Sequence, residues 1–147
     1  MSLAPPLVTR LAAVPLALLA LCLPASAQED KAPRLTIELN ALAPAEGGCT
    51  LSFLAVNGLG ADLERAVYEA VLFDKAGQVD RLTLFDFGNL PAGRPRVRQF
   101  VVPDLACGGL GRILINGAHS CDAGGLGEGA CTDALDLTSR TDVEVIG

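Results

Sequence analysis

The sequence is short of the side chains that most catalytic and metal sites need. Its 147 residues include one His, one Tyr, one Met and no Trp, and aromatic residues make up 4% of the chain. General acid–base catalysis is therefore left with carboxylates, and a copper site lacks its usual His and Met ligands. We accordingly expect a protein that is not an enzyme and that holds no metal or cofactor.

Basic residues are also scarce. The chain carries 11 Lys and Arg against 17 Asp and Glu, a formal net charge of −6. One base, Arg10, lies in an N-terminal segment that we expect to be removed, which leaves ten bases against 17 acids, or −7. Nucleic acid is not an expected partner, because binding to phosphates needs a net basic face.

Long apolar runs are confined to the N-terminus. Residues 1–27 contain one charge, Arg10, then an apolar stretch over residues 11–23 and the sequence Pro-Ala-Ser-Ala. This pattern is typical of a signal peptide, and the stretch is too short to span a bilayer. We predict Sec-type export with cleavage after Ala27, giving a periplasmic or secreted chain without a transmembrane segment. A lipoprotein anchored at Cys22 is the alternative, although the bulky Leu21 precedes that cysteine.

Four cysteines remain in the exported chain: Cys49, Cys107, Cys121 and Cys131. An even number in a small exported domain predicts two disulfides, and the wide spacings do not fit a four-thiolate zinc site. If successive strands alternate in direction, Cys49 meets Cys107. Cys121 then meets Cys131 across a glycine-rich loop, and this is the preferred pairing. A hairpin at Asn116-Gly117 would instead bring Cys121 to Cys107, so the pairing stays open at this point.

Alternating apolar and polar residues predict a series of short strands. Seven segments show the pattern, separated by turns rich in Gly, Pro and Asp: 35–40, 49–56, 65–73, 78–87, 96–102, 111–118 and 134–140. Residues 28–33 read as a flexible lead-in to a single domain over residues 34–147, in which 141–147 either extend the last strand or fray. Without an amphipathic helix, the pattern predicts an all-β fold, an immunoglobulin-like antiparallel β-sandwich of about seven strands.

The sixth segment differs from the others in its patterning. Its residues Ile113, Leu114 and Ile115 are apolar on both faces of a strand. We therefore expect a central strand that is covered on both sides.

The region from Leu35 to Val102 carries a hairpin pattern. It reads Ala-Val-Leu-Phe-Asp at 70–74, Ala-Gly-Gln-Val at 76–79, Leu-Pro-Ala-Gly at 90–93 and Phe-Val-Val at 100–102. The pattern resembles the FxLYD-type immunoglobulin-like domains of bacterial envelope proteins. It departs from their motif in having Ala70 in place of the first aromatic residue and Phe73 in place of the tyrosine. The exported chain as a whole is similar to uncharacterised small exported proteins of alphaproteobacteria. The resemblance implies an envelope location and a sandwich fold, and it implies no activity.

Three arginines alternate at the start of the fifth segment: Arg94, Arg96 and Arg98. On an extended strand they project from one face and form a basic stripe, the candidate site for a carboxylate-rich partner or an anionic headgroup. The favoured interpretation is that these charges protect a strand edge against pairing with another chain, and the stripe is the functional patch to test first.

Other clusters of polar residues do not match the spacing of known sites. In the segment 119–122, which reads His-Ser-Cys-Asp, strand neighbours point to opposite faces and a disulfide consumes the thiol. Asp74, Asp80 and Asp86 lack the spacing of a calcium loop and are typical of turns and strand edges. The glycines within 108–129 are not followed by the Lys of a phosphate-binding loop and are typical of turns.

These observations favour binding over catalysis. We predict a non-enzymatic periplasmic module that binds or scaffolds an unknown envelope protein. The alternative is a periplasmic protein that binds a small ligand, either between the two sheets or at the glycine-rich loop.

Overall fold

The computed structural model describes residues 1–3 and 32–147. All the described strands lie in Lys31–Gly147, one of the two units into which the chain divides. Apart from residues 1–3, the predicted signal peptide lies outside the described residues. So do its cleavage site after Ala27 and most of the predicted lead-in.

The described residues form eight strands. They are β1 (Leu35–Ala45), β2 (Gly48–Asn57), β3 (Leu63–Asp74), β4 (Val79–Leu90), β5 (Arg96–Pro103), β6 (Leu110–Asp122), β7 (Leu135–Ser139) and β8 (Glu144–Ile146). The predicted all-β fold is confirmed, with eight strands instead of about seven, because the last residues form a separate strand. In the described part of the chain, no helix has the length and apolar character to cross a membrane.

The strands form two four-stranded sheets that pack as a sandwich. Sheet A has the order β5-β2-β1-β7, and sheet B has the order β4-β3-β6-β8. The predicted antiparallel arrangement holds for the first six strands, whereas β7 pairs with β1 and β8 pairs with β6 in parallel. Both C-terminal strands arrive from the opposite sheet, so no hairpin fixes their direction.

The core is a layer of aromatic and aliphatic side chains between the sheets. Phe53 of β2 has its ring centroid 5.4 Å from that of Phe85, 5.6 Å from Phe87 and 5.9 Å from Phe100. Tyr68 of β3 packs edge-on against Phe87, and its hydroxyl donates a hydrogen bond to the carbonyl oxygen of Cys131, 2.7 Å away. The aromatic cluster therefore joins strands of both sheets and reaches the glycine-rich loop.

The two disulfides have the predicted preferred pairing, Cys49 with Cys107 and Cys121 with Cys131. The rival hairpin does not form, because β6 continues through Asn116-Gly117 without reversing its direction. Asn116 is an extra residue in β6, since Glu69 faces Gly117 while the next residue of β3 faces residue 115. This is the geometry of a β-bulge, which bends a strand without reversing it. Two disulfides indicate an oxidising, non-cytoplasmic compartment.

Asn57 is the buried polar side chain that holds one end of the sandwich together. At 1% exposure, its amide nitrogen donates to the carbonyl oxygens of Ala61 and Leu90, each 2.8 Å away. Its side-chain oxygen accepts from the backbone amide of Leu59 at 3.0 Å. One side chain thus fixes the end of β2, the turn that follows it and the end of β4.

Replacement of Asn57 by Ala should therefore lower the free energy of unfolding by about 2 kcal/mol, because the buried carbonyl of Leu90 and the part-buried amide of Leu59 lose this hydrogen-bond partner. Urea unfolding measures the change. The matched control is Asn40→Ala, since Asn40 is exposed and bonds only to the Glu38 side chain among the described residues. We expect this control to stay within about 0.5 kcal/mol of the wild type. Equal effects of the two substitutions would contradict the role given to Asn57.

Candidate functional site

The three predicted arginines occupy different environments. Arg94 precedes β5 and is exposed, while Arg96 and Arg98 are half-buried. Arg98 has the same strand parity as the core-facing Val102, and its guanidinium donates to the carbonyl oxygens of Phe87 and Asn89 on β4, at 2.7 and 3.0 Å. The guanidinium of Arg98 is thus engaged within the fold. Partner binding by the basic stripe stays a prediction, which now depends on Arg94 and Arg96.

A second arginine makes the reciprocal connection from β4 to β5. Arg81 donates to the carbonyl oxygen of Pro103 at 2.6 Å and also pairs with Asp80. The edge strands of opposite sheets are therefore tied by arginine–carbonyl bonds in both directions. Such bonds also occupy backbone acceptors that would otherwise attract a foreign strand.

Replacement of Arg98 by Ala should lower the free energy of unfolding by about 1 to 2 kcal/mol, because two carbonyl oxygens lose a charged donor. Arg94→Ala is the matched control, and we expect it to change stability by less than about 0.5 kcal/mol. Chemical denaturation of the two variants measures the free energy of unfolding and so distinguishes an arginine that stabilises the fold from one that is only exposed on the surface. If both variants unfolded like the wild type, Arg98 would not tie the sheets together.

The remaining polar clusters do not form a catalytic or metal site among the described residues. His119 is exposed, and no hydrogen bond in the described part joins its side chain to that of Ser120. Asp74 accepts two backbone amides in the β3–β4 turn, and Asp80 and Asp86 pair with arginines. Residues 32–147 contain no group of three His, Cys, Asp or Glu side chains placed to hold a metal ion.

Sequence reasoning missed an apolar surface on the outer side of sheet B. In the strand register, Val71 of β3 faces Leu82 of β4 on one side and Leu114 of β6 on the other. Leu114 in turn faces Ile146 of β8. Paired residues project to the same face of a sheet, so four apolar side chains form a row across all four strands.

Further apolar side chains flank this row. We define the sheet B outer patch as the row and its neighbours: Val67, Val71, Phe73, Val79, Leu82, Leu84, Leu114 and Ile146. On β4, Leu82 is 62% exposed and Val79 is 57% exposed. In the centre, Val67 and Val71 are only 4% and 8% exposed although they lie outside the core cluster. The patch is therefore continuous, with its central valines covered by their own neighbours.

The expectation that the sixth segment is covered on both sides is wrong for the described residues. Ile113 and Ile115 face the core, but Leu114 projects outward and is half-buried, with no described layer above it. The continuous apolar sequence at 113–115 therefore reflects one core face and one surface face. This is the signal that could have revealed the patch.

The outer side of sheet A is more polar. There Leu54 of β2 faces Glu38 of β1, and Gln99 of β5 donates a hydrogen bond to the Ser52 hydroxyl at 2.9 Å. Arg140 pairs with Glu38 at 2.9 Å. Apolar residues are also exposed on sheet A, where Val97 pairs with Leu54 and Val101 is 59% exposed. The two outer faces differ because the row through Val97 and Leu54 ends at Glu38 of β1, whereas the row of sheet B crosses all four strands.

Charged residues around the sheet B outer patch are largely paired. Arg65 bonds to Asp86 at 2.7 Å and lowers the pKa of that carboxyl. Arg112 donates to Glu144 at 2.8 Å, and the Asn116 amide donates to Glu69 at 2.5 Å. The apolar row therefore has polar side chains on both sides: Glu69 lies between Val67 and Val71 on β3, and Arg112 faces Phe73. An apolar centre with a polar rim is the usual arrangement of a protein-binding surface.

One other carboxyl group and one hydroxyl group have shifted pKa values, and neither shift is connected with a catalytic or binding site. Asn40 and Arg140 lower the pKa of Glu38 through hydrogen bonds and charge, on the outside of sheet A. Burial raises the pKa of Tyr68, which stays neutral as a hydrogen-bond donor in the core. Both shifts follow from the fold and point to no reaction.

A cleft of about 380 Å³ opens between β4 and β5. Its lining includes Leu84, Phe85, Gln99, Phe100 and Val101. The described residues contain no buried side-chain polar atom without a hydrogen-bond partner. The lining is mixed, since Arg81, Thr83 and Gln99 join the apolar residues, and it has no unpaired buried polar group to orient a small molecule.

Comparison of the chain with protein-family models, curated proteins and solved structures finds no match. The FxLYD-type resemblance stays a prediction.

Proposed function

We propose that this chain is a non-enzymatic periplasmic module that binds or scaffolds proteins of the bacterial envelope, with the sheet B outer patch as its contact surface. The supporting observation is the apolar row across all four strands of sheet B. A large contiguous apolar patch on the surface of a monomer is often a functional contact surface. Export by the predicted signal peptide and the FxLYD-type resemblance are parts of the same proposal.

The disulfides and the arginine bridges make a rigid frame, which lowers the entropic cost of presenting a fixed surface. A sandwich fold by itself does not select a function. The proposal therefore depends on the patch.

A small-ligand binding protein is the alternative, and the cleft between β4 and β5 is the observation in its favour. A ligand that selects the native state must raise the melting temperature. A thermal-shift screen against envelope metabolites therefore tests this alternative. The matched variant is Gln99→Ala, which removes a polar group from the lining of the cleft.

Affinity capture with patch variants tests the main proposal. We expect the tagged wild type, cross-linked in intact envelopes, to recover protein in near-equal amount, and Leu82→Glu to lose that protein. Val97→Glu is the matched control, because Val97 is 61% exposed on sheet A and Leu82 is 62% exposed on sheet B. Capture that survives Leu82→Glu, or that both substitutions abolish equally, would refute the patch as the contact surface.

A further inference from the structure

The sheet B outer patch has the dimensions of a small self-association surface. It covers four strands about 4.8 Å apart and about seven residues at 3.3 Å each, so its flat footprint is roughly 19 by 23 Å. Two such faces bury roughly 870 Å² in total, which is in the range of small, weak interfaces. Outer faces of sheets pack well against each other because two twisted sheets align with their strands about 30° apart.

Charges on either side of the apolar row indicate how two copies fit together. Along β3, Glu69 lies two residues before Val71, on one side of the row. Arg112 of β6 faces Phe73 in the strand register, so it lies on the other side. Acid and base are therefore placed diagonally across the centre of the patch.

This diagonal arrangement selects one symmetry axis. A twofold axis along the row exchanges the two sides of the row between the copies. Arg112 of one copy then lies over the side of the row where the other copy carries Glu69. The symmetry then produces the same contact twice. An axis along the strands would place Arg112 over Phe73 of the second copy and make no opposite-charge contact.

Arg112 has capacity for such a contact. Among the described residues its side chain uses only Nε, which donates to Glu144. The two terminal guanidinium nitrogens can therefore donate to a carboxylate of a second molecule, and bidentate pairs of this kind give both energy and orientation.

We propose that the sheet B outer patch joins two copies of this chain face to face, about a twofold axis along the row from Leu82 to Ile146. This inference rests on the proposed function, which assigns the patch to protein contact. It adds that the partner on the patch is a second copy. The dimer then presents Arg94 and Arg96 twice, on the β5 edges of both copies.

Sedimentation velocity of the exported, disulfide-bonded protein tests the inference. From 1 to 500 µM, we expect the wild type to pass from monomer to dimer with a dissociation constant in the micromolar range, as a small interface predicts. Leu82→Glu should weaken the dimer at least tenfold, because it buries an unpaired charge. Val97→Glu should dimerise like the wild type. Thermal unfolding of each variant verifies that the fold is intact.

A cross-linking experiment tests the axis. With the axis along the row, residue 82 lies opposite residue 82 of the second copy, so Leu82→Cys should give a dimer with a short bismaleimide. Val97→Cys should stay monomeric. Cross-linking that needs a mixture of Leu82→Cys and Ile146→Cys would overturn this axis.

Two outcomes separate the inference from the proposed function. A wild type that stays monomeric at 500 µM, while Leu82→Glu still loses a captured envelope protein, refutes the second copy and leaves the proposed function standing. A monomer whose capture does not depend on Leu82 refutes both.

Discussion

Replacing Cys49 and Cys107 together by Ala should lower the free energy of unfolding by about 4 kcal/mol. This bond closes a loop between residues 58 positions apart and connects β2 to the turn before β6. In the chain-entropy model, a closed loop of this length restricts the unfolded state by about that amount. The substitution also removes a sulfur from a fully buried site in the core, because Cys49 is 0% exposed.

The second disulfide is the internal control for this prediction. Cys121 and Cys131 are 10 positions apart, so removal of both sulfurs should cost nearer 2 to 3 kcal/mol. Urea unfolding of the two double variants under oxidising conditions gives both values. If the Cys121 and Cys131 variant proved the less stable of the two, loop length would not be the governing term.

Phe53→Ala should be comparably damaging, at about 3 to 5 kcal/mol, because it removes the ring at the centre of the core aromatic cluster. Phe53 is 0% exposed and packs against rings from β4 and β5. No single neighbour can fill the space, since the rings are held on three strands. Guanidinium unfolding monitored by circular dichroism measures the loss.

Phe73→Ala is the matched control for the core substitution. Phe73 is the phenylalanine of the sheet B outer patch and is only half-buried. We expect the same chemical change there to cost about 1 kcal/mol. Similar losses at the two positions would mean that the aromatic cluster is not the stabilising centre of the sandwich.

The sequence predicted the fold well in segments where alternate side chains face either the core or the solvent. Leu35, Ile37 and Leu39 alternate with polar residues, and all three are buried in the core. The Asp-Lys-Ala-Gly turn at residues 74–77 also forms as expected, with Asp74 accepting the amides of Ala76 and Gln78. Local pattern and tertiary structure agree in these segments, so period-two alternation was sufficient.

The candidate site was harder to predict, because it depends on which strands become neighbours. Leu82, Leu114 and Ile146 are far apart in the chain, and only the order β4-β3-β6-β8 aligns them through Val71. Arg98 illustrates the reverse case. Its alternation with Arg96 was visible in the sequence, but its hydrogen bonds to β4 depend on an edge strand of the opposite sheet.

The Asn116-Gly117 pair shows a limit of turn signals. The dipeptide favours a two-residue hairpin when its flanking strands are free to pair with each other. Here β3 already pairs along the whole of β6, and the extra residue is accommodated as a bulge. Long-range pairing therefore outweighs a strong local preference.

Covalent footprinting in intact envelopes tests most directly whether the sheet B outer patch is a contact surface. Hydroxyl radicals label exposed aliphatic side chains, and the comparison is between the protein in its native envelope and the purified protein at high dilution. If the patch is a contact surface, Leu82 and Leu84 should be labelled several-fold less in the envelope, while Val97 and Val101 of sheet A should be labelled equally in both samples. Equal labelling of Leu82 in the two samples would contradict the account.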